Sequence, residues 1–445
     1  MKRLVDKEKT NIFQRGSIKE INDLLFENHE EHPSTFNEGD IEELFSIFDY
    51  DKINQESYEQ IERLLFNLMC FGYEYSEIYK LIIDKALENV ENQRYLLEYI
   101  IEDGSLSLIS KEQLESLQIK ELYLDNSNLR NLPEKLGHLN SLEELVINCK
   151  FQTLPKSLNR LPNLKSLSIV FQPNDYDYLE LPNVIESLTS LEAIDISYFN
   201  TNGLALYHVK FPISFKKLTS LKSLRLTSNK LWKIPKEVTT LTRLEELDFS
   251  FNNLKELPPT LKNLTNLKIL NIELNSFEKF PEVITSLNSL KELYIGGNNF
   301  PKIPESIGKL KSLEILKFAP GWVKYGNLEK LPSSIGNLIF LRELDISFNR
   351  LKELPESIGN LKTLEKLRLA FNPIDKLPDS FMNLSALKTL DIAQTQINRF
   401  PLKENRLDSL ETIRVKRDYK NDLDGLQNLI NHFKNKKNKV VVNIY

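Results

Sequence analysis

Cysteine is nearly absent: Cys70 and Cys149 are the only two in 445 residues, and neither sits in a CxxC or other ligand spacing. A disulfide framework and a cysteine-based zinc site are therefore not expected. Glycine is also scarce, at 14 residues, and none of it forms a GxxxxGK phosphate loop or a GxSxG nucleophile elbow. The five histidines, His29, His32, His138, His208 and His432, are scattered and lack an HExxH context. No run of 18 apolar residues occurs, which argues against a membrane-spanning helix. The opening MKRLVDKEKTNIFQRGS is charged and has no apolar run behind it, unlike a signal peptide. These absences lead to the expectation of a cytoplasmic chain with no cofactor and no metal, although export by a route that needs no such leader stays compatible with them.

One segment, FDYDKINQESYEQ from Phe48, has carboxylates spaced as in a calcium loop. Asn54 occupies the glycine position and Gln60 replaces the bidentate acid at the twelfth, so calcium is not expected there.

What the chain does have is a folded protein's balance: 41% hydrophobic residues, with the 27% that are charged drawn from both signs. The net charge of −5 is unevenly spread. Residues 1 to 116 hold 12 Lys or Arg against 26 Asp or Glu, leaving +9 for the remainder. That surplus is too small and too mixed to point to nucleic acid.

From Ile119 onward the sequence repeats in steps near 23 residues. LKSLRLTSNKLWKIPKEVTTLTR begins at Leu221 and LEELDFSFNNLKELPPTLKNLTN at Leu244; thirteen units can be traced, the last incomplete and starting at Leu410. In LxxLxLxxNxL, numbered here from its first leucine, apolar positions four and six alternate as in a short strand with one face inward. The asparagines at position nine, Asn229, Asn252, Asn275, Asn298, Asn349 and Asn372, stand where the chain leaves the strand, able to pair backbone groups that would otherwise be buried unsatisfied. Prolines such as Pro235, Pro258, Pro355 and Pro378 then fix the turn into the return segment. One such unit cannot bury its apolar face alone, so the units must stack.

The stretch SFNRLKELPESIGNLKTLEKLRLAFNPIDKLP, Ser347 to Pro378, resembles the leucine-rich repeats of the cytosolic, Ras-associated and Scribble-like class, whose unit carries LPxxIGxL in its second half. Many bacterial proteins carry similar repeats. The resemblance covers about three quarters of the chain and implies an α/β fold: a curved leucine-rich repeat solenoid with a parallel inner sheet. Its implied role is protein-protein interaction, which the fold serves in many forms.

Three units are long: 27 residues from Leu164, 30 from Leu191 and 28 from Leu313. Their insertions, QPNDYDYLELP, FNTNGLALYHVKFP and APGWVKYGNLEKLP, are expected to leave the stack as loops carrying Tyr176, Tyr178, Tyr207, Trp322 and Tyr325. On the strand wall, position eight forms an aromatic column of Phe171, Tyr198, Phe251, Phe348 and Phe371, with Leu274 between them. Position five alternates charge and aromatics, including Asp195, Arg225, Asp248, Tyr294, Lys317, Asp345, Arg368 and Asp391. Exposed aromatics with Arg among charges of both signs have the composition of a protein-binding face. Candidate partner-binding residues are therefore Tyr198, Arg225, Asp248, Phe251, Tyr294, Lys317, Trp322, Asp345, Phe348, Arg368 and Phe371. The same column also suits a structural spine of stacked rings.

Both ends differ from the repeats. Residues 1–16 read as a flexible start, 17–103 as an all-helical N-terminal domain, 104–118 as a junction or cap, 119–415 as the repeats and 416–445 as a C-terminal cap. In that last segment Leu423, Leu426, Leu429, Ile430 and Phe433 are spaced for a short amphipathic helix, and VVVNIY suits an added strand.

The function read from the sequence is a module that binds an unidentified partner protein or peptide on the concave face. The alternative is an effector-like or toxin-associated protein in which the repeats select a substrate for an enzymatic activity. The repeats also resemble those of bacterial effector ubiquitin ligases. That family places a catalytic cysteine in a CxD-like motif, whereas Cys70 is followed by Phe71 and Gly72 and suits a core thiol.

Overall fold

A computed structural model describes residues 93–94, 97–98, 101, 105–125, 132–149, 154–171, 178–180, 183–198, 208–210, 215–319, 325–397, 401, 407–415 and 441–444. The expected helices between 17 and 90, the C-terminal amphipathic helix, Cys70 and Trp322 lie outside them. The chain divides into two compact units, Met1–Gln172 and Pro173–Tyr445.

In the first unit, strands β1 (Glu121–Leu124), β2 (Glu144–Cys149) and β3 (Ser166–Phe171) pair in parallel, one per repeat. Residues 93–94, 97–98 and 101 are helical, at the end of the span 17–103 that was expected to be all-helical. Leu97 and Ile101 are buried, and the Glu98 carboxylate accepts the Tyr123 N–H at 2.8 Å, satisfying a donor on the outer edge of β1. Residues 104–118 contain a single-turn helix, Lys111–Ser116, whose N-cap Ser110 and Gln113 exchange side-chain to backbone bonds in a capping box.

In the second unit eleven strands form one parallel ladder. They are β5 (Ala193–Tyr198), β7 (Ser223–Arg225), β8 (Glu246–Asp248), β9 (Ile269–Asn271), β10 (Glu292–Tyr294), β11 (Ile315–Lys317), β12 (Glu343–Asp345), β13 (Lys366–Arg368), β14 (Thr389–Asp391), β15 (Thr412–Val415) and β16 (Val441–Ile444). The register is constant: Leu247 faces Leu270, which faces Leu293, which faces Leu316. VVVNIY supplies β16, paired with β15. Outside that ladder, on either side of β5 in sequence, β4 (Tyr178–Glu180) and β6 (His208–Lys210) come from the first two insertions and pair with each other as a separate parallel ribbon. These insertions were expected to leave the stack as loops; at these residues they form paired strands instead.

Most three-residue strands have a half-buried, buried, half-buried pattern, because of their positions three to five only position four points into the stack. The return path is a 3-10 turn opened by proline. Pro235, Pro258, Pro355 and Pro378 each accept the N–H three residues on, from Val238, Leu261, Ile358 and Phe381, at 2.9–3.1 Å. Leucines and isoleucines from strand and turn fill the interior at essentially zero exposure.

The asparagine ladder works as the spacing predicts. Asn252 Nδ2 donates to its own Phe249 and Ser250 carbonyls and to Leu226 in the preceding repeat, while its Oδ1 accepts from Asn229 N and Leu231 N. Asn275, Asn298, Asn349 and Asn372 repeat the arrangement. Each side chain thus satisfies both strand ends at a place where water is excluded.

Candidate functional site

On leaving the strand, the chain must swing the position-nine asparagine back into the stack. It does so by placing position eight in the left-handed region: Ser228, Phe251, Leu274, Gly297, Phe348, Phe371 and Gln394 have φ between 52° and 70°. For a bulky residue this backbone is unfavourable by about 1–2 kcal/mol. It is held because the same residue's N–H is taken by the next repeat: Phe251 donates to Glu273 O at 3.0 Å, Phe348 to Ala370 O and Phe371 to Ala393 O at 2.8 Å. The conformation turns the side chain outward, so the aromatic column stands on the strand face.

Two aromatics of this column meet a third from an insertion. The Phe348 and Phe371 rings stack with centroids 4.3 Å apart and planes 11° apart, and Tyr325 meets Phe348 edge-on at 5.8 Å. Tyr325 belongs to the third insertion, whose return is anchored by Gly326 N donating to Phe348 O at 2.7 Å. Gly326 has to be glycine: a Cβ there would come within 2.1 Å of Asn349 Oδ1. Loop and wall aromatics are therefore one patch at this point, with Tyr325 61% exposed and the two phenylalanines half-buried. Phe251 stands apart from them and is 50% exposed. Tyr198 ends β5, and nothing is described of its side chain.

The charged positions are mostly committed within the wall. Glu343 gathers three cations, Arg368, Lys317 at 3.3 Å and Lys366 at 3.8 Å. Burial pushes its carboxyl up, but the Arg368 and Lys317 contacts outweigh that and hold it below the usual range. Lys317 also lies 5.2 Å from the Tyr294 ring centre, and Tyr294 Oη donates to Glu292 at 2.7 Å. Burial, then the Glu292 bond, raise the Tyr294 phenol. Arg225 pairs with Glu246 at 2.6 Å. The position-five acids turn one oxygen back on their own chain: Asp248 accepts from Ser250 N and Asp345 from Ser347 N. Their second oxygens face Asn271 Nδ2 at 2.9 Å and Arg368 at 3.6 Å.

Glu273, absent from the sequence-derived candidates, is the exception. From Thr227 to Ala393, position seven holds only Thr, Ser, Gly or Ala apart from this residue. Its carboxylate has no hydrogen bond or ion pair among the described residues. Burial pushes it up to about 7; Lys317 opposes the shift while Asp248 and Asp345 add to it. The signal was there to be read, one charge in a column of small side chains.

Among the described residues no group of His, Cys, Asp and Glu has the geometry of a metal site, and no helix is long and apolar enough to cross a membrane. The leucine-rich repeat region family matches residues 203–324, and a second leucine-rich repeat family matches 339–397. The structure of a leucine-rich repeat protein from Leptospira interrogans is similar at 31% identity and a TM-score of 0.63, covering 75% of this chain and 80% of that one. The chain belongs to the leucine-rich repeat proteins. Two further solved structures are similar. The TLR13–ssRNA13 complex matches at 22% identity and a TM-score of 0.50, over 68% of this chain and 51% of that one. The functional domain of InlJ from Listeria monocytogenes matches at 22% and 0.44, over 76% and 64%. No curated protein matches the sequence.

Proposed function

We propose that this leucine-rich repeat protein is a binding module that captures a partner protein or peptide on the outer face of its strand wall, the face that the Ras-associated type of repeat would make concave, and that it does so in the cytoplasm. The observation that carries this reading is the Tyr325–Phe348–Phe371 patch. Two bulky rings are kept on an unfavourable backbone and partly exposed to water, on the same strand wall as the Lys317–Glu343–Arg368 cluster. Clustered, partly exposed rings supply the kind of anchor that dominates interface energetics. The charges around them fix orientation more than they add affinity, since most already have partners in the wall.

Affinity capture with the whole protein from a lysate of its own source, run beside a Phe348→Ala/Phe371→Ala double variant, tests the proposal. A partner retained by the wild type and lost with the variant supports it. A partner captured equally by both moves the binding surface elsewhere.

A further inference from the structure

Counting positions three, five, seven and eight of the eight repeats whose strands run from β7 to β14, seven carboxylates stand against four cations. The strand face is therefore acidic although residues 117 to 445 as a whole carry +9. Six of the seven acids have a bond or ion pair within the protein: Glu246 and Glu343 with cations, Glu292 with Tyr294, and Asp248, Asp345 and Asp391 with backbone N–H groups. Glu273 alone is left over.

Its surroundings leave room above it. Ser250 and Gly296 flank it at position seven, both buried, so no neighbouring side chain longer than serine rises from that column. Leu274, next in the chain, lies over Gly297, whose missing Cβ would otherwise sit 2.6 Å from Leu274 Cδ2. Phe251 stands on the adjoining repeat, joined through its N–H to the Glu273 carbonyl and half exposed. A desolvated carboxylate one repeat away from an open aromatic ring suits a cation supplied from outside, through ion pairing and cation–π attraction together.

We propose that the partner presents an extended segment in which a Lys or Arg seats on Glu273 beside Phe251, while an apolar or aromatic residue packs on the Tyr325–Phe348–Phe371 patch. This rests on the strand-face reading above and specifies its ligand. Glu273 follows β9 and Phe348 follows β12, three strand spacings away, or about 14 Å. An extended peptide crossing the strands covers that in about four residues, which sets the spacing between the basic and the apolar anchor. The groups facing Glu273 are Asp248 on β8, Tyr294 on β10, Lys317 on β11 and Asp345 on β12. With Glu273 titrating near neutrality, affinity for the basic segment rises as pH passes from 6 to 8 and the carboxylate loses its proton.

The test is to pan a random twelve-residue peptide library on the immobilised full chain, then titrate an enriched peptide into wild type, Glu273→Gln and Phe348→Ala. The expected peptides carry Lys or Arg about four residues from Leu or an aromatic. Glu273→Gln weakens binding on the order of tenfold and removes its pH dependence. Phe348→Ala weakens binding but keeps the pH dependence. Enriched peptides that need Phe348 yet show no basic residue, or that bind Glu273→Gln as tightly as wild type, overturn the cation proposal and leave the strand-face reading standing. Failure to enrich any peptide dependent on Phe348 overturns both.

Discussion

The Phe348 and Phe371 rings lie 4.3 Å apart in a near-parallel stack, and both residues occupy left-handed backbone. Two opposing effects meet there. Aromatic contact contributes about 0.5–1.5 kcal/mol, while the left-handed backbone costs about 1–2 kcal/mol for each residue with a Cβ. For Phe371 alone, one contact set against one left-handed residue, the two are close to balance. Phe371→Gly, which removes the ring and the backbone cost together, is expected to leave the thermal midpoint within a few degrees of wild type and to abolish partner capture. A midpoint fall of ten degrees or more would mark the column as a spine that supports the repeats.

Asn372 is a different case, because its amide serves carbonyls of Ile346, Leu369 and Ala370 and the N–H of Leu351. Asn372→Ala leaves these groups buried without partners and is expected to cost about 3 kcal/mol in denaturant unfolding. Amide exchange at Leu351 should accelerate. An unchanged exchange rate there would show that water replaces the side chain.

Glu273 and Glu343, two wall carboxylates with shifted titration, act on stability in opposite directions. Glu273 is raised in the folded protein, so its contribution is full below the ordinary carboxylate value of 4.5 and is lost as pH climbs through about 7. Glu273→Gln should raise the thermal midpoint at pH 8, by a gain of at most about 3 kcal/mol, and change little at pH 4. Glu343 is lowered by its cations, so its contribution is present above 4.5 and lost as pH falls through its depressed value. Glu343→Gln should cost about 2 kcal/mol at pH 7, with Lys317 and Arg368 left less well paired. Unfolding of both variants across pH 3–9 checks the pair of signs.

Gly326→Ala drives a Cβ into the Asn349 amide and is expected to destabilise by about 1–3 kcal/mol. It should also lift Tyr325 from Phe348, so partner capture should fall beyond what the lost stability explains. Capture measured well below the unfolding temperature separates the two effects.

Strands, asparagine ladder and proline turns were legible in the sequence because each depends on spacing within one 23-residue unit. The eighth-position backbone was not, since Phe is a poor residue for positive φ and the reason for it lies in the next repeat's carbonyl. That hidden conformation decides whether Phe348 faces water or the core. Glu273, at position seven, is also missed by reading positions five and eight, because its role depends on the other acids from β7 to β14 being paired. The pairing of Tyr178–Glu180 with His208–Lys210 left no trace in periodicity: three residues are too few to show alternation.

That ribbon makes one object of two insertions from consecutive repeats. Whole repeats can be gained or lost from such an array at little cost to their neighbours, but not these two: deleting either would strand the backbone donors and acceptors of the other. Lineages that shuffle units are expected to inherit the pair together, with crossovers falling on either side of it.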